Sequence, residues 1–329
     1  MTQRRDGPRP AVIGTCTLSP YGARDPAQLL ADGLAMLDEM ARRADRKGWR
    51  LDLALLPETF AQIGEPRTVE RAETIDGRIV TAVAEKARAY ETYATAPVRL
   101  REDDKIRNSI VILDRKGEPV GVYHKVFVTT VQDGSLEQGV TPGTEFPVFD
   151  LDFGRVGAQI CYDVFFENGW QAYDDQDAEL VIFSSATPLV MALRSYAFRH
   201  QYYVVSAVHE VPSLIVDPVG REVARTTSDR DPILARVDLD YRVVRWPLVR
   251  DYGKALGEKY GDRISQDWHY EEHMCLLTSR DPDVPIREVM GREKLDTHRE
   301  ELLPAIPLQN AARGRPPPGG TPRIGNTKR

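Results

Sequence analysis

Short apolar runs rich in β-branched residues recur along this chain, and segments of helical period separate several of them. The runs are AVIGT at 11–15, LDLALL at 51–56, NSIVILD at 108–114, PVGVYHK at 119–125, GRVGAQI at 154–160, ELVIFSSA at 179–186, YYVVSAV at 202–208 and SLIVDPVG at 213–220. Such runs suit sheet strands covered on both faces, so their alternation with helices predicts a mixed α/β fold. A chain of 329 residues, 41% hydrophobic and 29% charged, can build the core that this needs and lacks the apolar depletion of a disordered protein.

The helices have readable ends. DPAQLLADGLAMLDEMARRADRKG offers Asp25 as N-cap, Pro26 at the first helical position and Gly48 as stop, with Leu30, Leu34, Leu37, Ala41 and Ala44 on one face. Further helices are predicted over about 78–90 and 189–201. Gly117 between NSIVILD and PVGVYHK marks a hairpin turn, and 146–160 reads as another strand pair. The body is predicted to span 11–245, after an N-terminal arm at 1–10. Residues 246–305 form an extension whose Trp268, Met274, Leu276, Leu277, Val284, Ile286 and Val289 need cover from the body or from a partner. The Pro-, Gly- and Arg-rich end at 306–329 reads as a disordered tail.

Charge and cysteine content narrow the function. Net charge is −6, and the last seventeen residues hold five basic side chains and no acid, so the body is more acidic still and would repel a phosphate backbone. Nucleic acid is therefore not expected as a partner. No run approaches the eighteen or so apolar residues of a membrane span, so no membrane partner is expected either. Three widely spaced cysteines, Cys16, Cys161 and Cys275, suit a reducing, cytoplasmic setting better than a disulfide framework.

Three apolar runs lead directly into chemistry-bearing residues: Glu58 after LALLP, Lys125 after VGVYH and Cys161 after GAQI. In open α/β sheets, ligands bind beyond the strand ends, so three such residues suggest one site. A thiol attacks as thiolate; it needs a base, which Glu58 supplies, and a cation to hold the developing negative charge, which Lys125 supplies. Each residue alone has a plain structural reading: Cys161 as buried core, Glu58 as the start of a loop, Lys125 as a solvated strand end. Asp163 reads as structural, because its charge would disfavour a thiolate nearby. His124 falls on the opposite strand face from Lys125. In HYEEH, His269 and His273 are one helical turn apart with Cys275 nearby, but without a completing ligand cluster no metal is expected.

LLPETF, GVYHKVF and AQICYDVFF, in this order, resemble the Glu, Lys and Cys motifs of the nitrilase superfamily of carbon-nitrogen hydrolases. NSIVILDRKGEPVGVYHK, GVTPGTEFPVFD, AELVIFSSATP and LIVDPVGREVA extend the resemblance over about 10–245. It implies a four-layer α-β-β-α sandwich and a catalytic triad of Glu58, Lys125 and Cys161, with no cofactor. It also implies a supporting role for Glu137 in LEQGVTPG and for the Tyr162 backbone N–H as oxyanion donor. The implied reaction is hydrolysis of a small-molecule amide or N-carbamoyl (ureido) group through a thioester, by a homodimer or higher homo-oligomer. A nitrile hydrolase would use the same triad, and a silent binding protein on the same scaffold is the other alternative. Phe60, Val164, Phe165, Thr187 and Arg194 are candidate pocket residues. Val164, Phe165 and Phe166 stand where carboxylate-binding relatives carry donors, which favours neutral or aromatic amides unless Arg194 reaches in.

Overall fold

The computed structural model describes residues 7–21, 25–63, 70–130, 134 and 136–325. The first half lays down β1 (Pro10–Thr15), helix α1 (Pro26–Arg46), β2 (Leu53–Ala54), helix α2 (Arg78–Ala89), β3 (Tyr93–Glu102), β4 (Lys105–Leu113) and β5 (Pro119–His124). The second half repeats the theme with β6 (Phe149–Asp150), β7 (Arg155–Ile160), α3 (Glu167–Asp175), β8 (Leu180–Ser185), α4 (Val190–His200), β9 (Tyr203–Val208), β10 (Leu214–Val216) and β11 (Glu222–Arg225). β12 (Ile233–Asp238) then returns to pair antiparallel with β1. The two six-stranded sheets run β12-β1-β2-β3-β4-β5 and β6-β7-β8-β9-β10-β11. Each has its two parallel pairs at the second and third junctions and antiparallel pairs elsewhere.

Local chemistry explains the elements. Asp25 caps α1 by accepting from the Gln28 N–H, Pro26 sits where no helical donor is lost, and Gly48 takes φ +66° just beyond the end. In the β4–β5 hairpin Gly117 takes φ +77°, with the Ala84 carbonyl so close that a Cβ would not fit. Alternation along the strands sorts side chains into layers. One core between the sheets gathers Ile13, Ile110, Ile112, Tyr123, Ile160, Ile182 and Val205. A second lies between the first sheet and α1/α2, a third between the second sheet and α3/α4, giving the order α-β-β-α. Burying apolar area on both sides of both sheets is the main stabilising term, at about 25 cal/mol per Å2.

Beyond β12, strand β13 (Tyr241–Arg245), α5 (Trp246–Tyr260), β14 (Ile264–His269) and β15 (Met274–Ser279) are followed by α6 (Ile286–Glu293), α7 (His298–Leu302) and α8 (Ala305–Arg313). β13, β15 and β14 make a small antiparallel sheet whose far side packs Leu256, Tyr260, Leu277, Ile286 and Val289. Residues 306–313, expected to belong to a structureless tail, are helical: AIPLQNAAR, 305–313, places Pro307 in the first turn, where its missing N–H costs no helical bond, and Gly314 ends it at φ +73°. His269 and His273 are not on a helix. They fall at the end of β14 and in the turn to β15, so the helical spacing read into HYEEH does not exist. Among the described residues no helix is long and apolar enough to cross a membrane.

The extension is tied to the body by charge. Arg299 on α7 donates to both Asp174 oxygens on α3 (2.8 and 3.0 Å) and to the Arg199 carbonyl on α4 (3.0 Å), and both ionic side chains are buried. Arg221 grips Asp267 of β14 with two guanidinium nitrogens. Removing one member of a buried pair strands the other charge, so Arg299→Leu should destabilise the protein by about 3–5 kcal/mol. Urea titration checks this, and a loss below about 1 kcal/mol, the worth of a solvated surface pair, would contradict it.

Candidate active site

β2, β5 and β7 all end toward one region between the two sheets, and the residues just past them meet there. Lys125 follows β5. Its ammonium, 1% exposed, donates to Glu58 Oε1 at 3.2 Å and to Glu137 Oε2 at 3.0 Å. Glu58 follows the short β2 and is held by more than the lysine: Asn108 Nδ2 donates to Oε1 at 2.7 Å and the Ala186 N–H, just past β8, donates to Oε2 at 3.1 Å. The second sheet also fixes this loop through its backbone, for the Ser184 hydroxyl donates to the Leu56 carbonyl at 3.0 Å and His209 Nε2 lies 2.8 Å from the Glu58 carbonyl. Burial lowers the His209 pKa, so the ring is neutral with its proton on Nε2, facing an oxygen that can only accept.

Cys161 directly follows β7 and opens a 3-10 turn over Cys161–Phe165. It takes φ +45°, and Thr59, beside Glu58, takes φ +42°. Non-glycine residues there are uncommon, and such strained positions cluster at functional sites. Asp163 fixes the turn. Its carboxylate accepts from the Ile160 N–H (2.9 Å), the Tyr123 hydroxyl (2.7 Å) and the Phe127 N–H (2.7 Å), which ties the cysteine turn to the lysine strand. Burial pushes the Asp163 carboxyl up to about 6 against those three donors. Its part is structural, as its sign suggested.

Electrostatics set the protonation of the cluster. For Cys161, burial is the largest influence and the nearby Glu58 charge adds to it, so the thiol is pushed up to about 12; Lys125, the Ser185 side chain and the Ala186 N–H pull the other way. Burial works against the Lys125 ammonium, but Glu58, Glu137 and Cys161 offset it and its pKa ends above the ordinary value. Glu137 is buried too, which would raise its pKa, yet Lys125 and Arg99 hold it below the usual range. The resting arrangement is a neutral thiol facing an ion pair, and the thiol proton has a carboxylate to go to.

The other expected pocket residues divide. Tyr162 is half-buried, its ring edge-on to Phe165 and Phe166 at centroid distances of 5.4 and 5.7 Å. Phe165 is 62% exposed, and Phe166 stacks on Phe127 at 3.9 Å, so an aromatic surface borders Cys161. Thr187 is exposed just past β8, its N–H donating to the Ser185 hydroxyl. Val164 does not line a pocket: it is 1% exposed and packs in the core under α3 and α4. Phe60 is likewise core, lying against α1 at Gly33, where a Cβ would collide with its ring. Arg194 does not reach the cysteine. It donates to the Gly220 carbonyl at 2.9 Å, with Glu222 near, and lines a separate cleft of about 490 Å3 with Met191, Phe198, His269 and Glu272. Asn108, Arg99, Ser185, Ala186 and His209 escaped the sequence reading. Only Arg99 left a trace, as a charge inside the apolar run YATAPVRL.

The sequence pattern that defines the carbon-nitrogen hydrolases matches residues 12–245. The chain belongs to that family. It is 31% identical over 235 residues to the deaminated glutathione amidase of Homo sapiens, a match covering 62% of this chain and 71% of that one. It is 30% identical over 242 residues to the nitrilase and fragile histidine triad fusion protein of Drosophila melanogaster, covering 65% of this chain and only 52% of that protein. Among solved structures, a carbon-nitrogen hydrolase superfamily protein of Xanthomonas campestris shares the fold with a TM-score of 0.61 at 20% identity, covering 77% of this chain and 97% of the other. The family therefore includes amidases, and its fold is the sheet pair flanked by helices described above.

A thiol held neutral should show no thiolate absorbance at about pH 8. The ultraviolet difference between the protein and Cys161→Ala measures it, and a thiolate plateau already present at neutral pH would sink this account of the resting state.

Proposed function

We propose that this protein hydrolyses the carbon-nitrogen bond of a small-molecule carboxamide through a thioester on Cys161. The observation that carries the reading is the burial of Lys125 between Glu58 and Glu137 beside a cysteine held at positive φ, because a fully buried ammonium serves no solvation purpose there. Cys161 Sγ attacks the carbonyl carbon as its proton passes to Glu58, and the carbonyl oxygen becomes an oxyanion. The Lys125 ammonium and the Tyr162 N–H are its donors; the loss of one such donor elsewhere has cost about 2.7–4 kcal/mol. Collapse of the tetrahedral adduct breaks the carbon-nitrogen bond, and the departing amine takes the proton from Glu58. Water then attacks the thioester, giving its proton to Glu58, which returns one to sulfur as the acid leaves. No step needs a redox group.

The amidases among the relatives support a carboxamide over a ureido or nitrile substrate. With Arg194 turned to Gly220, the exposed Phe165 and the Tyr162 ring support a neutral or aromatic amide.

A panel of amides, ureido acids and nitriles scored for ammonia release tests this reading. An amide should be the best substrate, and Cys161→Ala, Glu58→Gln and Lys125→Ala should each lower kcat roughly ten-thousandfold or more, without additivity because the three act as a unit. Circular dichroism checks that each variant is folded. Turnover above a few per cent in Cys161→Ala rules out the nucleophile, and preference for a nitrile rules out the amide. For a matched pair, the neutral amide should have the higher kcat/KM; a preference of about tenfold for the carboxylated analogue, near 1.4 kcal/mol, would overturn the apolar entrance.

A further inference from the structure

Arg99 lies on β3 opposite Asn108 of β4, and the Lys125 N–H donates to the Asn108 carbonyl at 2.8 Å, so the three residues form one row across the first sheet. Strand alternation puts them in phase with Tyr93, Ile110 and Tyr123, which face the second sheet. Two carboxylates bridge this row. Glu58 Oε1 accepts from Asn108 and Lys125, while Glu137 accepts from Arg99 Nη2 at 2.8 Å on Oε1 and from Lys125 on Oε2.

Burying a guanidinium is costly, and where other arginines among the described residues leave a buried nitrogen without a hydrogen bond it is Nε alone, as in Arg107, Arg155 and Arg230. Arg115 reaches Asp52, Asp152 and the Glu91 carbonyl. Arg99 is just as buried but, among the described residues, has a single side-chain acceptor, Glu137, and its Nε and Nη1 are buried with no partner. Folding alone would not select that arrangement, because unpaired buried donors cost stability. The charge count gives the reason: two cations, Lys125 and Arg99, balance two carboxylates, Glu58 and Glu137. Of the charged side chains nearby, Asp163 is taken up by the Ile160 and Phe127 N–H groups and the Tyr123 hydroxyl, and Glu102 pairs with Arg107.

We infer that Arg99 is a positioning residue for the reaction, holding the Glu137 carboxylate ionised and aimed at Lys125 so that the ammonium stays in place to receive the oxyanion. The inference rests on the reading of Glu58, Lys125 and Cys161 as the reacting groups. Without Arg99, two carboxylates share one ammonium. Either Glu137 then takes up a proton at a higher pH and releases Lys125, or the uncompensated negative charge disfavours the thiolate.

Arg99→Met, with Arg99→Gln should the first not fold, and Arg99→Lys test this in the full chain. Two readouts are followed against pH: kcat and KM for the best amide of the panel, and the rate at which iodoacetamide alkylates Cys161, with Cys161→Ala as blank. The neutral variants should lose about tenfold to a hundredfold in kcat, the worth of one charge-assisted hydrogen bond, with KM little changed. The acid limb of kcat/KM and the alkylation curve should both move to higher pH by about one unit or more. Arg99→Lys should move both back toward the parent. A neutral variant whose two pH curves coincide with the parent's, its kcat falling only in step with thermal stability, would make Arg99 purely structural. If the parent turns over no amide, the amidase reading fails, and the alkylation curve still decides the role of Arg99.

Discussion

An ammonium with almost no contact with water must be surrounded by compensating charge, and Lys125 imposes that requirement on everything near it. Two carboxylates must approach within hydrogen-bond distance from different parts of the chain, Glu58 from the end of β2 and Glu137 from the turn between β5 and β6. Each carboxylate needs further donors for its remaining lone pairs, which Asn108, the Ala186 N–H and Arg99 provide. Even so, Arg99 Nε and Nη1 and Asn108 Oδ1 are left without a hydrogen-bond partner among the described residues, a cost to stability. The same arrangement leaves Cys161 as a neutral thiol beside a carboxylate able to receive its proton.

Bringing these groups together is the work of the two-sheet architecture. Glu58, Lys125 and Glu137 belong to the first sheet and its connections, whereas Cys161, Ser185 and Ala186 belong to the second, so the site exists only where the sheets face each other. The joint is made rigid by polar bonds rather than by apolar packing alone. Asp163 links the cysteine turn to β5 through Tyr123 and Phe127, and His209 with Ser184 links β9 and β8 to the strand that carries Glu58. Positive φ at Cys161 and Thr59 is tolerated because the surrounding bonds over-determine it.

The extension shows where pattern reading loses its hold. Seven apolar residues at 268–289 called for cover; Trp268, Leu277, Val284, Ile286 and Val289 find it in a small core of the extension, while Met274 and Leu276 join the core between the two main sheets. Yet HYEEH has helical spacing only on paper, because pairing of β14 with β15 overrides it, and AIPLQNAAR was hidden by the Pro- and Gly-rich residues that follow. Val164 and Phe60 illustrate a related limit. Adjacency to a reactive residue says little about direction: a tight turn sends Val164 into the core while leaving Phe165 exposed, and a residue two places from Glu58 fills the space over Gly33.

What the sequence by itself determined is the set of local structures and the three residues Glu58, Lys125 and Cys161 that meet at the candidate site. β-branched runs, caps at Asp25 and Gly48 and the turn at Gly117 depend on neighbours within a few residues, and Glu58, Lys125 and Cys161 stand out because each ends such a run. Only the tertiary structure decided which distant groups those three would meet. Asn108 and Arg99 enter the site through the register of β3 against β4, and Ser185, Ala186 and His209 through the stacking of one sheet on the other. Arg194 was lost to the site for the same reason, its helix turning it toward Gly220. Register and stacking depend on contacts between residues tens to hundreds of positions apart, so no local pattern records them.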